Sequence, residues 1–181
     1  MVTIEIDRRM EGTILDIGGG GEGIIGQAYG ARVTAIDNRQ EELDEAPGGF
    51  CKLLMDARQL AFAEAVFDHV TAFYSLMYME EATQRQAILE AARVLRPGGR
   101  LHIWDADIRE AAPKPFLAEL VAVVNGKPIP VTYGVVKEET GQNALLFRRY
   151  GEEAGLSLLE HSQAQGHFYL CFGNDKNMGR D

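Results

Sequence analysis

The sequence predicts an α/β fold in which helices cover both faces of a doubly wound, mostly parallel sheet. Three observations lead to this prediction. Apolar runs of strand length alternate with helix-like segments, a glycine cluster joins the first run to its helix, and only five residues separate the last two apolar runs. The alternation favours a parallel sheet with right-handed crossovers, whereas the short final connection allows only an antiparallel hairpin.

The predicted core strands follow one another along the chain with helices between them. Strands are expected at residues 13–17, 32–36, 50–55, 67–74 and 100–104, and the final pair at 156–161 and 167–172. Helices are expected at residues 22–29, 38–46 and 80–95. Gly30 ends the first helix because glycine adopts the left-handed conformation of a helix C-terminus, and Pro97 stops the third because it cannot continue a helix.

Two segments lie outside this alternation. Apolar and polar residues alternate over residues 2–6, which predicts a short strand before the fold proper. Residues 106–143 are interpreted as an elaboration of one domain that spans residues 1–181. Within the elaboration, residues 116–124 are interpreted as a helix, and residues 127–136 as a strand or hairpin outside the main sheet.

The first strand leads into the glycine-rich loop of residues 18–23, and the second strand ends nineteen residues after the first glycine, at Asp37. This pattern is typical of a βαβ unit that binds a nucleoside-bearing cofactor. Gly18 and Gly20 allow the backbone to approach a ligand closely, and Gly23 allows the helix to pack near the sheet. Asp37 is expected to accept hydrogen bonds from both ribose hydroxyls.

Asp16 lies two residues before Gly18, at the end of the first strand. A carboxylate there would repel the pyrophosphate of a dinucleotide and attract a ligand with an ammonium and a sulfonium group. S-adenosylmethionine carries both groups. Residues 14–23 thereby resemble the first motif of the class I methyltransferases, apolar-Asp-x-Gly-x-Gly-x-Gly, although Glu22 stands where the third glycine is usual.

The resemblance implies a Rossmann-like sheet of seven strands in the order 3-2-1-4-5-7-6, with a C-terminal antiparallel hairpin. It implies that S-adenosylmethionine lies at the carboxyl ends of the strands. Asp56, after the third strand, is expected to accept from the adenine amino group, and the backbone of Ala57 to meet the ring. Asn38 is placed beside Asp37 in the cofactor site. Tyr74, at the tip of the fourth strand, or Tyr78 after it is expected to face the sulfonium or the acceptor.

Methyl transfer from a sulfonium is a displacement on an activated carbon, so the protein mainly has to align the reactants and exclude water. A base is needed only for an acceptor that holds a proton at neutral pH. Asp105, at the tip of the fifth strand, is the first candidate and Asp107 the second. Residues 106–143 are expected to cover the acceptor side of the pocket, and a lengthened sheet or a dimer contact is the open alternative.

The composition limits the partners. A net charge of −9 and the lack of a basic stripe argue against nucleic acid and favour a small-molecule acceptor. Neither the two cysteines nor any histidine pair has metal-ligand spacing, so no metal is expected. The N-terminus lacks a signal-peptide pattern, and no segment has the length of a transmembrane helix, which predicts a cytoplasmic protein without membrane contact.

Two other functions remain open. An NAD-dependent oxidoreductase is disfavoured by Asp16, by the short chain and by the terminal hairpin. A module that keeps the cofactor pocket but methylates nothing is the second alternative. Because few residues precede the first strand, either residues 106–143 or the partner subunit of a homodimer closes the pocket, or catalysis is poor.

Overall fold

The computed structural model of the chain describes residues 1–109, 114–136 and 141–175. Within these residues the strands are β1 (Val2–Ile6), β2 (Ile14–Ile17), β3 (Val33–Asp37), β4 (Cys51–Leu54), β5 (Phe67–Phe73), β6 (Leu95–Ala106), β7 (Phe116–Val124), β8 (Lys127–Val135), β9 (Ser157–Ala164) and β10 (His167–Gly173). The α-helices are α1 (Ile24–Tyr29), α2 (Gln40–Glu45), α3 (Glu81–Val94) and α4 (Ala144–Glu153). None of the helices in this described part of the chain is long and apolar enough to cross a membrane.

Seven strands form the main sheet, in the order β4-β3-β2-β5-β6-β10-β9. Neighbouring strands are parallel from β4 to β6, and β10 runs antiparallel to both β6 and β9. Counted along the chain, the strands of this sheet lie in the order 3-2-1-4-5-7-6. The predicted α/β fold with a mostly parallel sheet is confirmed. The strand order reverses between β2 and β5, and in open sheets ligands bind at the carboxyl ends of such strands.

Strands β1, β7 and β8 form a second sheet, in which β1 is parallel to β7 and β7 is antiparallel to β8. Residues 116–124 are therefore a strand, and the expectation of a helix there is wrong. Buried residues such as Leu120 alternate with more exposed ones along β7, and this period of two belongs to a strand. Asn125 and Gly126 both have positive φ, which suits the two-residue turn of a hairpin. Of the two alternatives for residues 127–136, the strand outside the main sheet is confirmed, and so is the short strand at residues 2–6.

An apolar layer packs against each face of the main sheet. On one face, α3 and α4 contribute Ile88 and Phe147. On the other face, α1 contributes Ile25 and the second sheet contributes Leu120. Burial of such side chains is the main favourable contribution to folding. The β7–β8 hairpin is therefore part of the core, and its removal would expose apolar surface of the main sheet.

Candidate functional site

A cavity of about 760 Å³ opens at the carboxyl ends of β2 and β5. This volume is in the range that holds small organic ligands. The lining residues come from the loop after β2, from the segments that follow β3, β4 and β5, and from β8. All the predicted cofactor residues line it: Asp16, Gly18, Gly20, Gly23, Asp37, Asn38, Asp56, Ala57 and Tyr74.

The glycine loop is held by backbone hydrogen bonds to two neighbouring elements. The N–H groups of Gly18 and Gly19 donate to the carbonyl of Ile36 on β3, at 2.8 and 3.1 Å. The N–H of Gly21 donates to the carbonyl of Glu42 on α2, at 2.8 Å. The loop therefore has a fixed shape before any ligand binds, which reduces the entropy that binding would cost.

Three of the loop positions leave little room for a side chain. Gly18 has a φ of +71°, and a Cβ there would overlap the side chain of Ser75. A Cβ at Gly20 would meet α2 and the end of β3. At Gly23, which begins α1 with a φ of +55°, a Cβ would lie 2.9 Å from the ring of Phe50. Glycine thus permits both the left-handed turns and the close packing of α1 on the sheet.

Asp16 lines the cavity with only 2% of its surface exposed. The hydroxyl of Thr71, its register partner on β5, donates to Asp16 Oδ1 at 2.7 Å. Burial, opposed by the hydrogen bond from Thr71 and reinforced by the negative charge of Asp37, raises the pKa of Asp16 to about 7. A nearby cation would stabilise the ionised form of such a group. The site is therefore suited to a positively charged ligand.

The ends of β3 and β4 contribute polar groups to the same cavity. Asp37 is half-buried, and the backbone N–H two residues along the chain donates to its Oδ1 at 3.0 Å. Asn38 beside it is exposed. Asp56 accepts from the backbone N–H and the guanidinium of Arg58, at 2.8 and 2.7 Å, and these hydrogen bonds lower the pKa of its carboxyl. Ala57 is buried.

Tyrosine side chains form another wall of the cavity. Tyr74 is buried, has a φ of +51°, and stacks on Tyr133 of β8 with ring centroids 5.2 Å apart and planes at 10°. Its Oη forms a hydrogen bond with Nδ1 of His167 at 2.6 Å. Tyr78 is about half exposed, and its Oη accepts from the N–H of Gly134 at 3.2 Å. The hairpin β7–β8 thus reaches the cavity, and its tyrosine is held in place by the tip of β5.

The two candidate bases do not line this cavity. Asp105 is fully buried, and its oxygens accept from Gln142 Nε2 at 2.6 Å and from the backbone N–H of Met77 at 3.2 Å. Asp107 accepts from Gln163 Nε2 at 2.5 Å. Neither carboxyl is among the residues that line the 760 Å³ cavity. Asp105 instead joins the segment after β5 to the segment before α4.

Comparison with known proteins identifies the family. A family model described as a methyltransferase domain matches residues 15–103. The O-methyltransferase rstn1 of Aspergillus nomiae is 32% identical over 175 residues, an alignment that covers 86% of this chain and 77% of rstn1. The chain belongs to the class I methyltransferases.

Other methyltransferases support the same assignment. The ubiquinone/menaquinone biosynthesis C-methyltransferase UbiE of Paracoccus denitrificans is 32% identical, with 70% of this chain and 54% of UbiE covered. This chain therefore spans only about half the length of that relative. The S-adenosylmethionine-dependent methyltransferase of Mesorhizobium loti has a TM-score of 0.62 at 13% identity, with 89% of this chain and 90% of that chain covered. At this identity the likeness shows the fold alone.

The residues present fit the methyl donor of class I methyltransferases. Gly18, Gly20 and Gly23 present only backbone to the cavity, and a Cβ at these positions would meet other side chains of the protein. The buried carboxyl of Asp16 suits a cationic group, and Asp37 lies at the end of the neighbouring strand. Among the residues that the structure describes, no cluster of three or more His, Cys, Asp or Glu side chains is placed to hold a metal ion.

Three residues that position Asp16, Tyr74 and Asp105 were not predicted. Thr71 is the polar residue in the apolar run of residues 70–73 on β5, a signal that was available in the sequence, and the structure places it in register with Asp16. His167 lies 93 positions from Tyr74, so nothing local indicates their hydrogen bond. Gln142 connects to Asp105 from a segment whose structure the sequence does not indicate.

Proposed function

We propose that this chain transfers the methyl group of S-adenosylmethionine to a small organic acceptor. Asp16 carries the proposal, because a carboxyl group with a pKa of about 7 at the edge of a 760 Å³ cavity favours a cationic ligand. Membership of the class I methyltransferases supports the same methyl donor. The names of the relatives, an O-methyltransferase and a ubiquinone/menaquinone biosynthesis C-methyltransferase, support a small-molecule acceptor.

The proposed cofactor site follows the strand ends from β2 to β4. We assign to it Asp16, Gly18, Gly20, Gly23, Asp37, Asn38, Asp56, Ala57 and Tyr74. Asp37 would accept from the ribose hydroxyls, because it is a half-buried carboxylate at the end of β3. Asp56 would accept from the adenine amino group in exchange for one of the four N–H contacts that Arg58 makes to its two oxygens, since a carboxylate can accept about four hydrogen bonds.

The residues of the chain would bind and orient the methyl donor and the acceptor, and they would exclude water from them. Bound S-adenosylmethionine supplies a methyl group on a cationic sulfur: as the acceptor atom bonds to the methyl carbon, the carbon–sulfur bond breaks and its electron pair stays on sulfur. The stacked pair of Tyr74 and Tyr133 forms a rigid wall where the acceptor side of the cavity is expected. We therefore assign the β7–β8 hairpin the role of cover over the acceptor.

We assign Asp105 a positioning role. Its oxygens already accept from Gln142 and Met77, and it lies outside the lining of the cavity. Tyr74 is assigned to the wall of the site, with its hydroxyl engaged by His167. An acceptor hydroxyl would then release its proton to water at the open side of the cavity.

Calorimetric titration tests the proposed cofactor. We expect the chain to bind S-adenosylmethionine and S-adenosylhomocysteine, and to bind NAD much more weakly, because the pyrophosphate would meet Asp16. Asp16→Asn should weaken the binding of S-adenosylmethionine at pH 8 by at least about tenfold. Asp44→Asn is a matched control, since Asp44 is an exposed carboxylate on α2. Tighter binding of NAD than of S-adenosylhomocysteine would overturn the proposal.

The cover is best tested by a point variant. Replacing residues 106–143 with a flexible linker would also remove Leu120 from the core and risk unfolding the chain. Tyr133→Leu removes the stacked ring and keeps the hairpin. Other features remain predictions of the sequence: one domain over residues 1–181, a cytoplasmic location and a homodimer.

A further inference from the structure

The lining of the cavity is strongly acidic. Six carboxyl groups line it: Asp16, Glu22, Asp37, Glu42, Asp56 and Glu80. The described lining residues contain two arginines, and each is already paired with a carboxylate. Arg39 lies 3.0 Å from Glu42, and Arg58 lies 2.7 Å from Asp56. An anion that entered the cavity would have to break one of these ion pairs or remain beside uncompensated carboxylates.

The same cavity is rich in aromatic surface. Phe73, Tyr74, Tyr78 and Tyr133 all line it. Phe73 meets Tyr133 edge-on, with ring centroids 6.2 Å apart and planes at 76°. Fixed aromatic faces favour a planar aromatic guest through offset or edge-on contacts, and they favour a cation over their faces.

These rings are held in place before an acceptor arrives. The hydrogen bond to His167 fixes Tyr74, and the parallel stack on Tyr74 fixes Tyr133. The Gly134 N–H fixes the hydroxyl of Tyr78. A preordered aromatic wall costs little side-chain entropy when a ligand binds.

We propose that the acceptor is aromatic and carries no negative charge. The inference rests on the proposed methyl transfer and narrows its substrate class. The acidic lining repels an acceptor of net negative charge, and the rings of Tyr78, Tyr133 and Phe73 select a planar ring system. A methyl donor with net positive charge would also be attracted by the acidic lining, so one charge pattern serves both ligands.

Four probes of similar size test the proposal by calorimetry on the chain saturated with S-adenosylhomocysteine. The probes are 2-naphthol, 2-naphthoate, protonated 2-naphthylmethylamine and decahydro-2-naphthol. We expect naphthol and the ammonium probe to bind, and naphthoate to bind at least about tenfold more weakly. Decahydro-2-naphthol should bind about threefold or more weakly than naphthol, because it lacks a planar aromatic face. Raising the salt concentration should narrow the gap between naphthol and naphthoate.

Variants test separately that the acceptor is aromatic and that it carries no negative charge. Tyr133→Leu should weaken naphthol binding by up to about tenfold while the affinity for S-adenosylhomocysteine changes less than twofold. Leu117→Ala, at an exposed position on the paired strand, should leave both affinities unchanged. Glu22→Lys should raise the affinity for naphthoate, because it replaces a negative charge in the lining by a positive one.

The outcomes distinguish the acceptor class from the proposed function. If S-adenosylhomocysteine does not bind, the proposed methyl transfer fails. If it binds, and naphthoate binds as tightly as naphthol, only the proposed acceptor class is overturned. Equal binding of the saturated alcohol, or no binding of any of the four probes, would also overturn it.

Discussion

Asp16→Asn is expected to stabilise the protein without ligand at pH 8. Asparagine keeps the size of the side chain and the Oδ1 acceptor for Thr71, but it cannot ionise. In the wild-type chain the carboxyl group is 2% exposed, and burial raises its pKa from 3.8 to about 7. At about 1.4 kcal/mol per pH unit, this rise corresponds to about 4 kcal/mol of unfolding free energy.

The sign of the effect follows from proton binding. The folded chain binds this proton more tightly than the unfolded chain, so the cost of ionising Asp16 is absent below pH 3.8 and complete above pH 7. The gain from Asp16→Asn should therefore be largest at pH 8 and vanish near pH 4. A buried amide without a full set of partners costs about 1–3 kcal/mol, so about 4 kcal/mol is an upper limit.

Urea unfolding at pH 8, 6 and 4.5 measures this gain, with Asp44→Asn as the exposed control. The same free energy should appear in ligand binding. The affinity of the wild-type chain for S-adenosylmethionine should fall by up to about tenfold per pH unit below pH 7, whereas that of the variant should be independent of pH. An equal gain at pH 4.5 and pH 8 would refute ionisation as the cause, and no gain at pH 8 would refute the raised pKa.

Three further predictions concern other elements of the site and the fold. Asp37→Ala should weaken the binding of S-adenosylhomocysteine by about 1.5–3 kcal/mol per charge-assisted hydrogen bond lost. The Tm of this variant should change little. Calorimetry measures the affinity and thermal unfolding measures the Tm, and unchanged affinity with a large fall in Tm would contradict the prediction. The imidazole of His102 should stay neutral down to about pH 4 in an NMR titration, because burial lowers its pKa to about 3. Protonation near pH 6.5 would contradict this. Gly26→Ala should lower the unfolding free energy by about 1–3 kcal/mol, since its Cβ would overlap the ring of Phe50, and unchanged urea unfolding would show that the ring moves aside.

The sequence predicted the features that local pattern determines. The glycine loop, the acid at the end of the first strand and the acid at Asp37 lie within one βαβ unit, so short-range spacing was enough to place them together. The residues at the carboxyl ends of β4 and β5 could also be assigned to the site, because parallel strands bring their carboxyl ends to one edge of the sheet. The sequence pattern alone could not show that Arg58 forms an ion pair with the carboxylate of Asp56.

Two expectations differ from the structure: the helix at residues 116–124 and the place of Asp105 at the site. Each difference has an identifiable physical cause. The helix expected at residues 116–124 overlooked Asn125-Gly126, a strong signal for a tight hairpin turn. Asp105 was expected at the site because it ends a strand, but side chains alternate between the faces of a strand. Leu101 and Ile103 pack with the residues of α3 and α4, and Asp105 lies on their face of β6.

Asp16 and His102 have opposite effects on the pH dependence of stability. The buried imidazole of His102 binds its proton less tightly than in the unfolded chain, so its contribution to stability falls as the pH falls from 6.5 towards 3. Asp16 takes up a proton over much of the same pH interval, and this uptake raises the unfolding free energy as the pH falls. His69 and His167, whose pKa values burial also lowers, add to the slope of His102. Between pH 6.5 and 4, Asp16→Asn should therefore lose stability more steeply than the wild-type chain, by about 1.4 kcal/mol per pH unit. Equal slopes of the unfolding free energy against pH for the two proteins would mean that the carboxyl group of Asp16, which the cationic ligand requires, does not destabilise the ligand-free protein.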